Sequence, residues 1–169
     1  RVKNTLATVQ AIARQTLRGV ETPETFVRAF EARLLALSQT HNALTDSQWA
    51  GAGLRQILGQ ELAPYDPARI AMHGPDLNLP ARVALSLGMV FHELATNAAK
   101  YGALSGESGR LSLSWRVDPP GVLAFEWREA GGPSVAAPAR RGFGSRLIER
   151  SIGAELRGEV AIDYAEAGL

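Results

Sequence analysis

Glu93 and Asn97 stand four residues apart, with Lys100 and Tyr101 just beyond them, in a stretch where Val83, Leu87, Val90, Leu94 and Ala98 recur at spacings of four and three. That spacing is the apolar face of a helix. Side chains at i and i+4 of a helix project together. A carboxylate and an amide oxygen are therefore aimed at one place, with Tyr101 continuing the row and the Lys100 ammonium beside it. Oxygen ligands of this kind suit a hard cation such as Mg²⁺, which keeps several waters and leans on substrate phosphates. A lysine suits the phosphates themselves. The same row also fits a wet helix end whose polar residues face solvent.

A second candidate is Glu129, which follows Leu123, Phe125 and Trp127 at the two-residue period of a strand. It points with them, and a carboxylate on a buried face needs a partner or a ligand. The amino group of an adenine ring is one donor it could accept from; a turn out to solvent is the alternative. Gly131-Gly132 comes directly after it, and Gly142 and Gly144 precede a helical pattern. Glycines let backbone approach a ligand closely and free N–H groups for phosphate. Between the pairs, Arg140 and Arg141 sit on a loop able to close over a nucleotide. The spacing fits neither the P-loop nor the dinucleotide fingerprint.

The elements that must position these residues follow from periodicity. Val2, Leu6, Val9, Ala13 and Leu17 mark one amphipathic helix, ended near Gly19; Phe26, Phe30, Leu34, Leu37, His41 and Leu44 mark a second, opened by Thr22-Pro23. Together they make an antiparallel hairpin that needs a partner for its stripes. A boundary is placed at the small, polar stretch 46–53. Leu54, Ile57, Leu58 and Leu62 predict a short helix, Arg69–His73 a strand, and Pro80 opens the long helix that runs to about Tyr101. Leu111–Val117 and Leu123–Trp127 alternate around Asp118-Pro119-Pro120-Gly121, which predicts a β-hairpin. Leu147, Ile148 and Ile152 predict a final inward-facing helix, and Val160, Ile162 and Tyr164 the start of another strand. The class is α+β: a two-helix hairpin, then an α/β sandwich with its helices stacked on one face of the sheet.

Composition bounds the partners. Hydrophobic residues make up 46% of 169 residues, enough for a real core, and the formal net charge is +1, so no basic field points to nucleic acid. With no cysteine, disulfides and thiolate metal sites are excluded, and a cytoplasmic, reducing setting is expected. No apolar run is long enough to span a membrane as a helix. The chain begins inside a helical pattern and stops at Gly168-Leu169, and so reads as a fragment of a longer protein.

The combination is more specific than its parts. Glu-x-x-x-Asn on a helix, a strand ending in an acid, a Gly-Gly turn and a Gly-x-Gly helix start resemble the Bergerat-type (GHKL) ATP-binding fold. Within it, Arg1-Val2-Lys3-Asn4-Thr5-Leu6-Ala7, the run from His92 through Asn97 to Ser105, and Trp127-Arg128-Glu129-Ala130-Gly131-Gly132-Pro133 are similar to the HWE family of sensor histidine kinases. The family's name matches His92, Trp127 and Glu129.

This resemblance implies a dimerisation and histidine-phosphotransfer hairpin over residues 1–46 and a catalytic ATP-binding domain over residues 47–169. It implies ATP and Mg²⁺ as cofactors. Asn97 would hold the metal, Glu93 would position or polarise the reacting group, and Lys100 and Tyr101 would lie along the phosphates or ribose. Glu129 would stand where related kinases read adenine; Gly131, Gly132, Arg141, Gly142 and Gly144 would flank a nucleotide lid. The implied partners are an upstream sensor domain, a response-regulator receiver and a second copy through the hairpin, although a hairpin packed on its own catalytic domain would stay monomeric. In the family the acceptor histidine precedes the Arg-Val-Lys-Asn run, so here it is expected just before Arg1. His41 then reads as an interhelical residue, His73 as surface, and His92 as support for the pocket. A scaffold or phosphotransfer module of the same fold that uses no ATP is the alternative function; an ATPase or serine-directed member of the fold is a third.

Overall fold

The computed structural model describes residues 2–17, 20, 22–46, 50–134 and 143–163. Helix α1 (Val2–Leu17) and helix α2 (Pro23–Asp46) form the hairpin. Thr22 caps α2 reciprocally with Thr25: Thr25 N donates to Thr22 Oγ1 at 3.3 Å, and Thr22 N donates to Thr25 Oγ1 at 3.2 Å. Pro23 follows at the first helical position, where its missing N–H is no loss.

The buried face of α1 differs from the expected stripe. Ile12 and Thr16 are buried and Val9 is half-buried, whereas Leu6 is 57% and Leu17 66% exposed. Two faces of α1 are apolar enough to compete. The face that docks carries Thr16, whose hydroxyl donates to Ile12 O at 2.7 Å and so enters the core with its polar group satisfied.

Strand β1 (Ala52–Gly53) leads into α3 (Leu54–Leu62), and β1 pairs antiparallel with β3 (Asn78–Leu79). A 3₁₀ turn at Pro67–Arg69 precedes β2 (Ile70–His73), so Arg69 lies in the turn rather than in the strand. The long helix α4 spans Ala81–Lys100, followed by a 3₁₀ turn at Ala103–Ser105. Strands β4 (Arg110–Asp118) and β5 (Val122–Ala130) form the expected hairpin, in register from Arg110–Ala130 to Asp118–Val122. At its turn, Gly121 takes φ of 120° and donates to Asp118 O at 2.7 Å, a conformation few other residues accept. The sheet order is β2-β4-β5, with β2 parallel to β4. Helix α5 (Phe143–Glu149) runs into a π turn at Arg150–Glu155.

No strand is present over Val160–Asp163 among the described residues; Tyr164 lies outside them, as do Gly19 and the Ala136–Arg141 tract. Residues 157–163 have no sheet pairing, and period-two alternation alone cannot hold a strand without a ladder partner.

Three layers result. Helix α4 carries apolar residues on two faces because it lies between the sheet and the hairpin. Toward the sheet, Phe91 meets Phe125 with ring centroids 5.0 Å apart, and Leu87, Val90, Leu111, Leu113 and Trp115 share that core. Toward the hairpin, Met89 joins Ile12, Leu37 and Leu147 in a second cluster. Helices α2 and α4 approach closely where Gly88 faces Thr40: a methyl group on Gly88 would stand 2.5 Å from Thr40 Oγ1. The α+β class, with helices stacked on one face of the sheet, is thus the observed one.

Candidate nucleotide site

The C-terminal half of α4 carries the site. Glu93, one turn before Asn97, is only 4% exposed. Its carboxylate takes both arms of a guanidinium from the hairpin: Arg33 Nε donates to Oε1 at 2.7 Å and Arg33 Nη2 to Oε2 at 3.1 Å. This fork-to-fork geometry is the strong form of a charged hydrogen bond. Arg33 is further steadied by Nη1, which donates to Ala29 O at 3.3 Å. Asn97 is half-buried. A methyl group added to Gly144 would lie 3.0 Å from Asn97 Nδ2 and 3.3 Å from Glu93 Oε2. The first turn of α5 therefore meets the polar row of α4 directly, and Glu93, Asn97 and Gly144 converge.

The row does not extend to Tyr101. Helix α4 ends at Lys100, and Tyr101 leaves the helical conformation (φ −132°, ψ −20°) with 70% of its surface exposed. Lys100 is exposed as well. Both stand at the rim. The helix closes through Asn97 O, which accepts from Tyr101 N at 2.8 Å and Gly102 N at 3.2 Å.

Glu129 forms a second group. It is buried on the core face of β5, as the period of two predicts. Its Oε1 accepts from Trp127 Nε1 at 3.0 Å, and its Oε2 accepts from Ala103 N at 2.7 Å. Gly102 abuts the same Oε2 so closely that no side chain fits there. Ala103 O in turn accepts from Arg69 Nη2 at 2.8 Å, while Arg69 Nε donates to Gly109 O at 2.7 Å. Gly131 turns the chain with φ of 69°, and a methyl group on Gly132 would stand 2.6 Å from Ala103 Cα. The Gly-Gly pair thus meets the loop after α4 by close backbone approach. Arg140, Arg141 and Gly142 lie outside the described residues.

His92 points to neither group. Its Nδ1 lies 2.9 Å from Glu61 Oε2, tying α4 to α3. Nearby, Tyr65 donates to Ala95 O at 3.3 Å, and burial, then the Glu61 charge, raises its phenol above the ordinary value of 10.0. Sequence reasoning missed Arg33, Glu61 and Arg69. A signal existed for two of them. Arg33 interrupts the stripe Phe30–Leu37 at the helical spacing, and Glu61 falls on the face carrying Leu54, Ile57 and Leu58. A charged residue in an apolar stripe calls for a buried partner. Among the described residues no group of three or more histidines or acids is placed to hold a metal by itself, and no helix is long and apolar enough to cross a membrane.

Comparison with known proteins bears on this arrangement. Residues 1–76 match the family model of the HWE histidine kinases. Across 175 aligned positions the chain is 45% identical to a blue-light-activated histidine kinase of Brucella ovis; the match covers 100% of this chain and 36% of that protein. Among solved structures, the blue-light activated histidine kinase of Erythrobacter litoralis EL346 superposes with a TM-score of 0.70 at 19% identity, over 98% of this chain and 56% of that one. The isolated histidine kinase domain of the EL346 protein gives 0.65 at 16% identity, over 96% and 90%. At such identities the structural likeness speaks for the fold, and the fold is that of a histidine kinase domain. Residues 1–76 are thus similar to the HWE histidine kinases, and the whole chain, which spans 36% of the length of the Brucella ovis protein, is similar to a histidine kinase along its length.

Proposed function

We propose that this chain is the core of a protein-histidine kinase, binding ATP with Mg²⁺ and passing the γ-phosphate to a histidine expected just before Arg1. From there the phosphate moves to an aspartate on a response-regulator receiver. The observation that carries the reading is the convergence of Glu93, Asn97 and Gly144 at the end of α4. The donor chemistry fits the metal. Asn97 is half-buried, makes no side-chain hydrogen bond among the described residues, and offers one neutral oxygen; Glu93 is already held by Arg33. One protein oxygen is too little for an independent metal centre, but it suits Mg²⁺ that rests mainly on phosphates and water. When bound, that ion neutralises charge on the phosphates.

The protein's own work is positioning. Lys100 and Tyr101 at the rim face the phosphates or ribose, Gly131, Gly132 and Gly144 allow close backbone approach, and Arg141 and Gly142 belong to the covering loop. The attacking imidazole nitrogen forms a bond to the γ-phosphorus as the bond to the bridging oxygen breaks, and ADP leaves. Held by Arg33, Glu93 orients this arrangement. Residues 1–46 serve as the dimerisation and phosphotransfer hairpin and residues 47–169 as the catalytic domain, with signal input from an upstream sensor. Leu6, Leu17, Val27 and Leu35, exposed on α1 and α2, support a second copy as the hairpin's partner. Titration calorimetry of Mg²⁺–ATP against wild type and Asn97→Ala tests the assignment. Affinity is expected to fall about tenfold, the worth of one good ligand interaction; equal affinities reject it.

A further inference from the structure

We infer that Glu129 is a positioning residue that braces the end of α4, and that it does not read the base. The inference rests on the nucleotide-site reading above, but it assigns this residue a different task from the one the family resemblance suggests. A carboxylate that reads an exocyclic amine must present an oxygen to the ligand. Glu129 is only 5% exposed, and each of its oxygens already has a protein donor, Trp127 Nε1 on one side and Ala103 N on the other. The backbone of Gly102 is packed against Oε2, and Gly132, in the turn after β5, closes on Ala103.

What this arrangement does is fix Ala103. Its N–H goes to Glu129 and its C=O to Arg69, so both backbone polar groups of one residue are held by side chains from two different elements. Ala103 opens the 3₁₀ turn directly after α4, and Gly102 N is bonded to Asn97 O at 3.2 Å. The position of Asn97, Lys100 and Tyr101 relative to the sheet is therefore set through this knot. Trp127 and Glu129 act as one unit, with the indole N–H holding the carboxylate in the rotamer that reaches Ala103. The spacing of Trp-x-Glu places both on the same face of β5, as this requires.

The test compares wild type, Glu129→Gln and Trp127→Phe. In the glutamine variant an amide N–H₂ must face one of two N–H donors, and in the phenylalanine variant the indole donor is gone while the ring volume stays. Two readouts decide. Titration with Mg²⁺–ATP and Mg²⁺–GTP should show affinities for both nucleotides falling by a common factor of about tenfold, the equivalent of one lost hydrogen bond, with the ATP-to-GTP ratio unchanged. Trp127→Phe should reproduce the pattern in milder form. Hydrogen exchange at the Ala103 amide should quicken about tenfold or more in Glu129→Gln. Loss of ATP-over-GTP preference in Glu129→Gln alone overturns the inference, and so does an Ala103 amide that stays as protected as in wild type. Wild type that binds neither nucleotide rejects the proposed function, while amide exchange still decides whether Glu129 braces Ala103.

Discussion

Replacing Arg33 by alanine should destabilise the protein far more than the loss of a surface charge. The Arg33 side chain is 12% exposed and that of Glu93 5%, so the pair is buried between α2 and α4. Removing the guanidinium leaves a buried carboxylate that has lost the donor to each of its oxygens. Breaking one side of a buried pair costs about 3–5 kcal/mol, against about 0–1 for an exposed pair. For a chain of this size that is a fall in melting temperature of about 6–20 °C. The second arm removes the stranded charge: Glu93→Ala in the Arg33→Ala background should recover part of the loss, giving a coupling of about 0.5–3 kcal/mol in the double-mutant cycle. Urea denaturation of the four proteins measures both quantities. A loss below about 1 kcal/mol for Arg33→Ala, the level of a solvated pair, would refute the docking of the hairpin on α4 through this bridge.

Gly88→Ala should destabilise by about 1–3 kcal/mol through the clash with Thr40, outweighing the gain of at most about 1 kcal/mol in helix propensity. Adding Thr40→Ala should reverse the sign, as read by urea midpoints. Glu61→Ala leaves His92 Nδ1 without its partner and should cost about 1–3 kcal/mol in the same assay. Tyr65, whose phenol is raised by burial and Glu61, is favoured in its neutral form in the fold. The stability this contributes is fully present below pH 10 and is lost as pH rises through the folded value. Tyr65→Phe should therefore flatten the alkaline decline, seen by comparing urea midpoints between about pH 8 and 11.

Much of the fold is written in local pattern. The helix over Ala81–Lys100 and the hairpin around Gly121 follow from periods of 3.6 and 2, because both are short-range in sequence and each has a buried face to enforce its register. Glu93, Asn97 and Glu129 stand out as polar residues in apolar surroundings, and two of them are buried. Their partners are another matter. Arg33 is 60 residues from Glu93 and Ala103 is 26 from Glu129, and no spacing rule connects such positions. The face of α1 is ambiguous for a similar reason: Leu6 and Leu17 look more apolar than Thr16, whose hydroxyl is satisfied by its bond to Ile12 O. Tyr101 fails to continue its row because α4 stops one residue earlier, at a point set by the tie between Gly102, Ala103 and Glu129 rather than by helix propensity.

The contact of Gly88 with Thr40 also has a mechanical side. It is a point of close approach between α2 and α4, and so offers a fulcrum for a tilt of the hairpin. Arg33 lies seven residues from Thr40 along α2, a lever arm of about 10 Å at 1.5 Å per residue. A tilt of about 10° about the fulcrum carries the guanidinium about 2 Å, enough to part hydrogen bonds that must stay near 3 Å. An angular change too small to disturb the apolar packing at the pivot would thus disengage Arg33 from Glu93, the buried acid one turn before Asn97.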